Sequence, residues 1–364
     1  MLEMITVDSP LEKRLETQAT SRASDFPNAS LNYFNRYREV KQIIDQNYYN
    51  STGAGLALSG ERYTLHTIDH VNHVIRQAGY LIGVGAEARD PAYEKLEPFE
   101  LFVMLYAILL HDAGNARGRE GHERAPRAIL KELGAASGLD DVEQHLVASI
   151  AQAHGGRTST GSRDTITGVI KEPVSRIANR PVHGRRLAAL VRFADELSED
   201  SRRADPEAVR GDFLLHPEKA SVPESVVHNM YCKLINTWID YQGRSLSIAF
   251  RVHKQYLNMR YPILDDQKER KELFLVDYIA QRINKLERER RYYNRFTADF
   301  IAYDRCRITL SIVDDDGEVE SLPADLEDVG YPTLYNPIEK VEPRFDGAIL
   351  QKQFFGTVEE GPQQ

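Results

Sequence analysis

The spacing of apolar positions divides the chain into two regimes. From Leu31 to about Asp205 they recur every three or four residues between Gly/Pro breaks, the period of amphipathic helices. Six segments each read as one helix: YFNRYREVKQIIDQ, HTIDHVNHVIRQAGYLIG, FELFVMLYAILLHD, HERAPRAILKEL, DVEQHLVASIAQAH and GRRLAALVRFADELSED. After Pro206 the period shortens. KLINTWIDYQGRSLSIAFRVH alternates on both sides of Gln242-Gly243, as a β-hairpin does. A long charged helix is expected from about Asp266 to Phe300, and RCRITLSIV alternates again as a strand. Residues 1–30 are polar and expected to be partly frayed, while the Pro-, Gly- and acid-rich close reads as loop or an extended arm. The expected fold class is mainly α. A helical domain covers 31–205, a small α+β annex of hairpin, long helix and strand covers 206–313, and an acidic C-terminal extension covers 314–364.

Composition narrows the class. Apolar residues at 41% and charged residues at 28% describe an ordinary globular protein, and 364 residues can hold more than one core. The longest apolar run, Leu101 to Leu110, is too short to span a bilayer. The opening MLEMITVDSPLEKRLE has acids where a signal peptide is greasy, so a cytoplasmic location is expected, with no membrane partner. Two cysteines, Cys232 and Cys306, are too few for a disulfide framework and read as buried small hydrophobes in a reducing compartment.

The net charge of −9 is unevenly spread. From Asp314 onward thirteen acids face three bases, a balance of −10, which leaves the remainder near +1. Within that remainder, Gly155 to Arg192 carries eight Lys/Arg and two acids. Such a local positive field in an acidic protein points to a small anionic ligand at one place, or to a solvated charged face, and makes duplex DNA an unlikely partner.

The candidate chemistry lies in the histidines. His66 and His70 stand four apart and so share a helix face if the helix covers both. His111-Asp112 ends the apolar helix, His122 opens a helix after an arginine-rich loop, His154 closes the next, and Asp195 follows LAALVRF. Imidazoles and carboxylates that converge from several helix ends are costly to bury unless something cationic holds them. Mixed N/O ligation suits Mn, Fe, Co, Ni or Zn, and six such groups exceed what one tetrahedral zinc takes up. The count points to two divalent transition-metal ions sharing a carboxylate.

The order His70, His111-Asp112, His122, His154, Asp195, with LLHDAGNARG and LVRFADELSED as its most specific parts, resembles the HD-domain metal-dependent phosphohydrolase superfamily over roughly residues 55–205. That resemblance implies an all-helical HD-domain bundle that hydrolyses phosphate esters. It implies core ligands His70, His111, Asp112 and Asp195, with His122 and His154 at the places of the two extra ligands of a binuclear subset. HTIDH is similar to the HNxxH element of cyclic-nucleotide phosphodiesterases, which would make His66 the general acid. Thr67 stands where those enzymes carry Asn. Asn115 replaces the lysine of the HDxGK form of cyclic-dinucleotide hydrolases.

The activity so implied is hydrolysis of a phosphate ester of a nucleotide or nucleotide second messenger by a metal-bound hydroxide at Asp112, with His66 donating to the leaving oxygen. Arg117, Arg119 and Arg124 follow the His-Asp pair, and Arg157 follows His154 through two glycines; all four are candidate phosphate contacts or surface salt bridges. Two other readings stay open: a nuclease or phosphodiesterase on single-stranded nucleic acid, and a non-catalytic HD-like interaction protein with a structural metal. The annex and tail suit a homodimer arm, a lid or a docking place for a regulatory protein partner.

Overall fold

The computed structural model describes residues 9–50, 64–206, 208–209, 216–220, 222–264, 269–328 and 337–356. They fall into two compact units. The first holds residues 9–50, 66–198 and 292–302, the second 64–65, 199–291 and 303–356, each among the described residues.

The first unit is helical, and its N-terminal segment is part of it. Helix α1 (Pro10–Ser21) starts on a capping box. Ser9 Oγ accepts from the Glu12 N–H at 3.2 Å, Glu12 Oε2 accepts from the Ser9 N–H at 3.3 Å, and Pro10 occupies the first turn. It buries Leu11, Leu15 and Ala19, so from residue 9 onward the expected frayed segment is ordered core. Helix α1 packs on α2 (Tyr33–Ile44), α3 (Ile68–Leu81) and α4 (Pro98–Leu110). Buried Glu12 is held there by Lys41 Nζ and the Tyr37 hydroxyl, both at 2.7 Å, and Lys41 also donates to Asn72 Oδ1 at 2.6 Å.

All thirteen residues of α4 are buried. A helix apolar on every side belongs at the centre of a bundle. Here it touches α1, α2, α3, α6 (Asp141–Gln152) and α8 (Gly184–Glu196), with α5 (Pro126–Leu133) against α6 and the short α7 (Thr165–Val169) against α6 and α8. Strands β1 (Ser175–Ile177) and β2 (Arg180–Val182) form a hairpin before α8, with Ala178 and Asn179 at φ of 46° and 65° in its two-residue turn.

The second unit is the annex. Helix α9 (Pro223–Leu234) leads into the antiparallel pair β3 (Ile235–Asp240) and β4 (Ser245–His253), the hairpin read from the sequence. A second hairpin, β5 (Arg260–Leu264) with β6 (Arg270–Phe274), precedes α10 (Leu275–Thr297). Strands β7 (Arg305–Asp314) and β8 (Gly317–Glu327) complete a sheet of order β3-β4-β7-β8. The β4–β7 pair is parallel, so it needs a long crossover, which β5, β6 and α10 supply. Helices α11 (Ile338–Val341) and α12 (Gly347–Phe355) close the described chain, with α11 against β8 and α12 against β6. Within α10, Arg290 is fully buried and donates to Glu287 at 2.6 and 2.8 Å and to the Tyr303 carbonyl.

Two sequence expectations change here. The long helix starts at Leu275 because residues 270–274 pair with β5; residues 266–268 of the expected span lie outside those described. The acidic tail is not all arm, since β8 alternates buried Leu322, Ala324 and Leu326 with outward acids and joins the sheet. Trp238 is 57% exposed on the edge strand β3. The first unit runs to Ser198 and regains the chain from Tyr292 to Ala302. Both cysteines are free and buried. Among the described residues no helix is long and apolar enough to cross a membrane.

Candidate metal centre

Because α4 is the central helix, the residues that end it arrive at the middle of the bundle. His111 caps α4 and Asp112 starts a 3-10 turn over Ala113–Arg117. His70 comes from the first turn of α3, Asp195 from the last turn of α8, and His154 from two residues past α6. His122 opens a 3-10 turn, His122–Arg124, rather than a full helix; α5 begins only at Pro126. His66 lies outside its expected helix. Thr67 takes the N-cap position with extended backbone, so the helical face expected for His66 and His70 is not formed, yet both side chains reach Asp112.

The distances describe two ligand groups that meet at Asp112. On one side, Asp112 Oδ2 stands 3.5 Å from His70 Nε2 and 3.4 Å from His111 Nε2, while Asp195 Oδ1 stands 3.1 and 3.7 Å from the same two nitrogens. On the other, Asp112 Oδ1 stands 3.2 Å from His122 Nε2 and 3.7 Å from His154 Nε2. These sets, His70/His111/Asp112/Asp195 and Asp112/His122/His154, are each close enough to hold an ion, with all ligand atoms of a set within 4.8 Å. His66 Nε2 approaches Asp112 Oδ2 at 3.7 Å but belongs to neither set.

The chemistry of these donors fits a cation. Nδ1 of His111, His122 and His154 lies 2.7, 2.8 and 2.6 Å from the carbonyls of Ile108, Arg119 and Ala151. A carbonyl only accepts, so Nδ1 carries the proton and Nε2 presents a lone pair to the centre. His111 Nε2 is buried and makes no hydrogen bond. Ligands about 2.1 Å from one ion stand about 3.0–3.4 Å apart, close to the spacings above. Without an ion the carboxylates draw protons instead. Burial alone would lower His111, but Asp112 and then Asp195 push its pKa up to about 10. Asp112 is held well below the usual carboxylate range in spite of complete burial, chiefly by His111 and then by His122 and His154.

Two neighbours did not register as functional in the sequence. Gly114 has a backbone reason: a Cβ there would lie 2.2 Å from the His122 carbonyl oxygen and 2.7 Å from Ala125 Cβ, so only glycine lets the His122 turn close on the His-Asp turn. Asn115, next in the chain, is buried with both amide atoms unbonded, a costly arrangement outside a ligand site. Three candidate phosphate arginines are engaged elsewhere. Arg117 pairs with Glu132, Arg124 with Glu123 at 3.5 Å, and Arg157 donates to the Gly161 carbonyl at 3.1 Å. The carbonyl of Arg119 is the acceptor that orients His122.

Comparison with known proteins agrees with this geometry. The family model HD-CE matches residues 60–286, more than half of the chain, and so reaches past the helical domain through β3 to β6 into α10. No curated protein and no solved structure matches. The helical bundle, its His/Asp cluster able to hold metal, and the extent of that match place the chain in the HD-CE family, with an HD-type fold.

Proposed function

We propose that the chain is a metal-dependent phosphohydrolase acting on a phosphate ester of a nucleotide or nucleotide-derived messenger. The observation that carries this reading is Asp112, whose two oxygens face two separate groups of histidines, the disposition of a carboxylate shared by two cations. Divalent ions held there would polarise a phosphoryl oxygen and acidify water.

The protein's own groups then have distinct tasks. The carbonyl tethers keep each Nε2 aimed at the centre, so little reorganisation is needed when substrate binds. Most of the cluster is buried, but the side chains of His122 and Asp195 are each 21% exposed and mark the side open to substrate. His66, beside Asp112 yet outside both ligand sets, donates the proton from Nε2 to the leaving oxygen. The buried amide of Asn115 supplies both a donor and an acceptor for a polar substrate beside the His-Asp pair.

The test is turnover by metal-stripped full-length protein reloaded with Mn²⁺. It is offered mononucleotides, deoxynucleoside triphosphates, cyclic mono- and dinucleotides, guanosine polyphosphates and single-stranded oligonucleotides, with Asp112→Ala alongside. Hydrolysis of one nucleotide class, absent from Asp112→Ala, is the expected result. Cleavage of oligonucleotides alone would move the reading to a nuclease. Two bound ions per chain without any turnover would make the centre structural.

A further inference from the structure

The basic stretch Gly155–Arg192 is not used by the metal centre, and it contributes two arginines to a cavity elsewhere in the helical unit. This cavity, about 390 Å³, is lined by His183, Arg185, Arg186, Arg295, Phe296 and Asp299 among others. Its arginines come from two elements, the first turn of α8 and the last turn of α10. Arg186 is the best placed of them. Its guanidinium lies 4.7 Å over the Phe300 ring, its Nε is buried without an acceptor, and Nη2 donates to Asp299 Oδ2 at 2.7 Å.

Three cations face one carboxylate in the lining, and that carboxylate is loosely held. Asp299 is 72% exposed, so its pair with Arg186 is a surface ion pair of little net strength that an incoming oxyanion can displace. Arg185 donates Nε to the Ile170 carbonyl at 2.9 Å and also bonds the Lys171 carbonyl, which fixes its plane without neutralising it. Arg295 shares Asp164 at 3.1 Å, and His183 is committed to buried Glu100 at 2.8 Å. The Phe296 side chain supplies an apolar wall next to these charges.

We propose that this cavity is a second ligand site, which takes the phosphoryl group of a small phosphorylated molecule between Arg185, Arg186 and Arg295 and sets its organic part against Phe296. Arginine planes match phosphate geometry in two-point contacts, and the volume suits a small ligand. The site is separate from the metal centre: Arg186 and Asp195 lie nine residues apart on α8, about 14 Å along its axis.

The test is calorimetric titration of metal-stripped full-length protein with inorganic phosphate and with adenosine 5′-monophosphate, which removes any contribution of bound metal. The monophosphate is expected to bind more tightly than inorganic phosphate. Arg186→Gln should weaken it at least about tenfold, Asp299→Asn should tighten it severalfold, and Asp112→Ala should leave it unchanged. The Asp299 variant keeps the test decisive if Arg186→Gln does not fold. No saturable binding at millimolar concentrations, equal affinity for the two probes, no tightening in Asp299→Asn, or loss in Asp112→Ala would each overturn the proposal.

Discussion

Two clusters of charge are buried in the helical unit, and they are satisfied in opposite ways. Around Glu12 every partner is internal: Lys41 neutralises it, Tyr37 donates to it, and Asn72 takes a further Lys41 proton. Burial and the adjoining carboxylate push the Tyr37 hydroxyl well above its usual range, so it stays a donor at any working pH. Around Asp112 the imidazole protons point outward to main-chain carbonyls, and the Nε2 atoms converge on its two oxygens. The first cluster ties α1, α2 and α3 together; the second asks for a ligand. Burial and charge alone do not separate them, but the direction of the Nδ1–H bonds does.

The largest effect that sharpens this contrast is expected from His66→Gln, which removes the one imidazole near Asp112 that belongs to neither ligand set. The turnover number should fall by about 10²–10⁴ while metal content per chain, read by elemental analysis, stays the same. A parallel loss of metal would make His66 a ligand and end its role as the acid.

Next comes the internally paired cluster. Glu12→Ala strands the Lys41 ammonium, which is 1% exposed, and should destabilise the helical unit by about 3–5 kcal/mol in urea unfolding. Metal stoichiometry of the folded fraction should not change. If Glu12→Ala lost metal as readily as stability, the two clusters would not be the separate devices described here.

A smaller effect is expected from Gly114→Ala, because the added methyl must push the His122 carbonyl and with it the whole turn. Affinity for a cation offered to the Asp112/His122/His154 group should drop about 10- to 100-fold, with the His70/His111/Asp195 side retained. Equal weakening of both sides in a metal titration would mean that the strain spreads through Asp112.

These same residues show which parts of the molecule could be read in advance. The clustering of these six His and Asp positions was legible because an apolar helix that ends in His-Asp is chemically odd, and the order of the remaining groups repeats a known pattern. The position of His66 was not, since HTIDH has helical spacing while Thr67, a β-branched N-cap, makes Ile68 the first helical residue. The Ser9-Pro10-Leu11-Glu12 capping box was visible but hidden by the polarity of residues 1–30. RKELF reads as the start of the long helix because it carries no helix breaker; its pairing with β5 is a long-range fact that local propensity does not see. The acids of β8 disguised a half-buried edge strand as a tail. Asn115 and Gly114 gained meaning only from their surroundings, an unbonded buried amide and a turn packed so closely that no Cβ fits, which no local pattern encodes.

The smallest effect is the most selective, because it follows the proton that competes with the cation. In the metal-free chain His111 has a pKa raised from an ordinary 6.5 to about 10. A raised histidine contributes stability that is fully present below about pH 6.5 and is lost as pH climbs through about 10. The metal-free protein should therefore melt progressively lower across that window. A cation needs Nε2 unprotonated, so its stabilisation should grow over the same range, with proton release on binding at neutral pH. The expected divergence between metal-free and Mn²⁺-loaded melting curves is a few degrees. It should persist in Glu12→Ala, where the internally paired cluster is broken, and shrink in His111→Gln, where His122, also raised by Asp112 against its own burial, still competes. A divergence that did not depend on pH would show that the cation displaces no proton from His111, and the outward Nδ1 tethers would lose the meaning given to them.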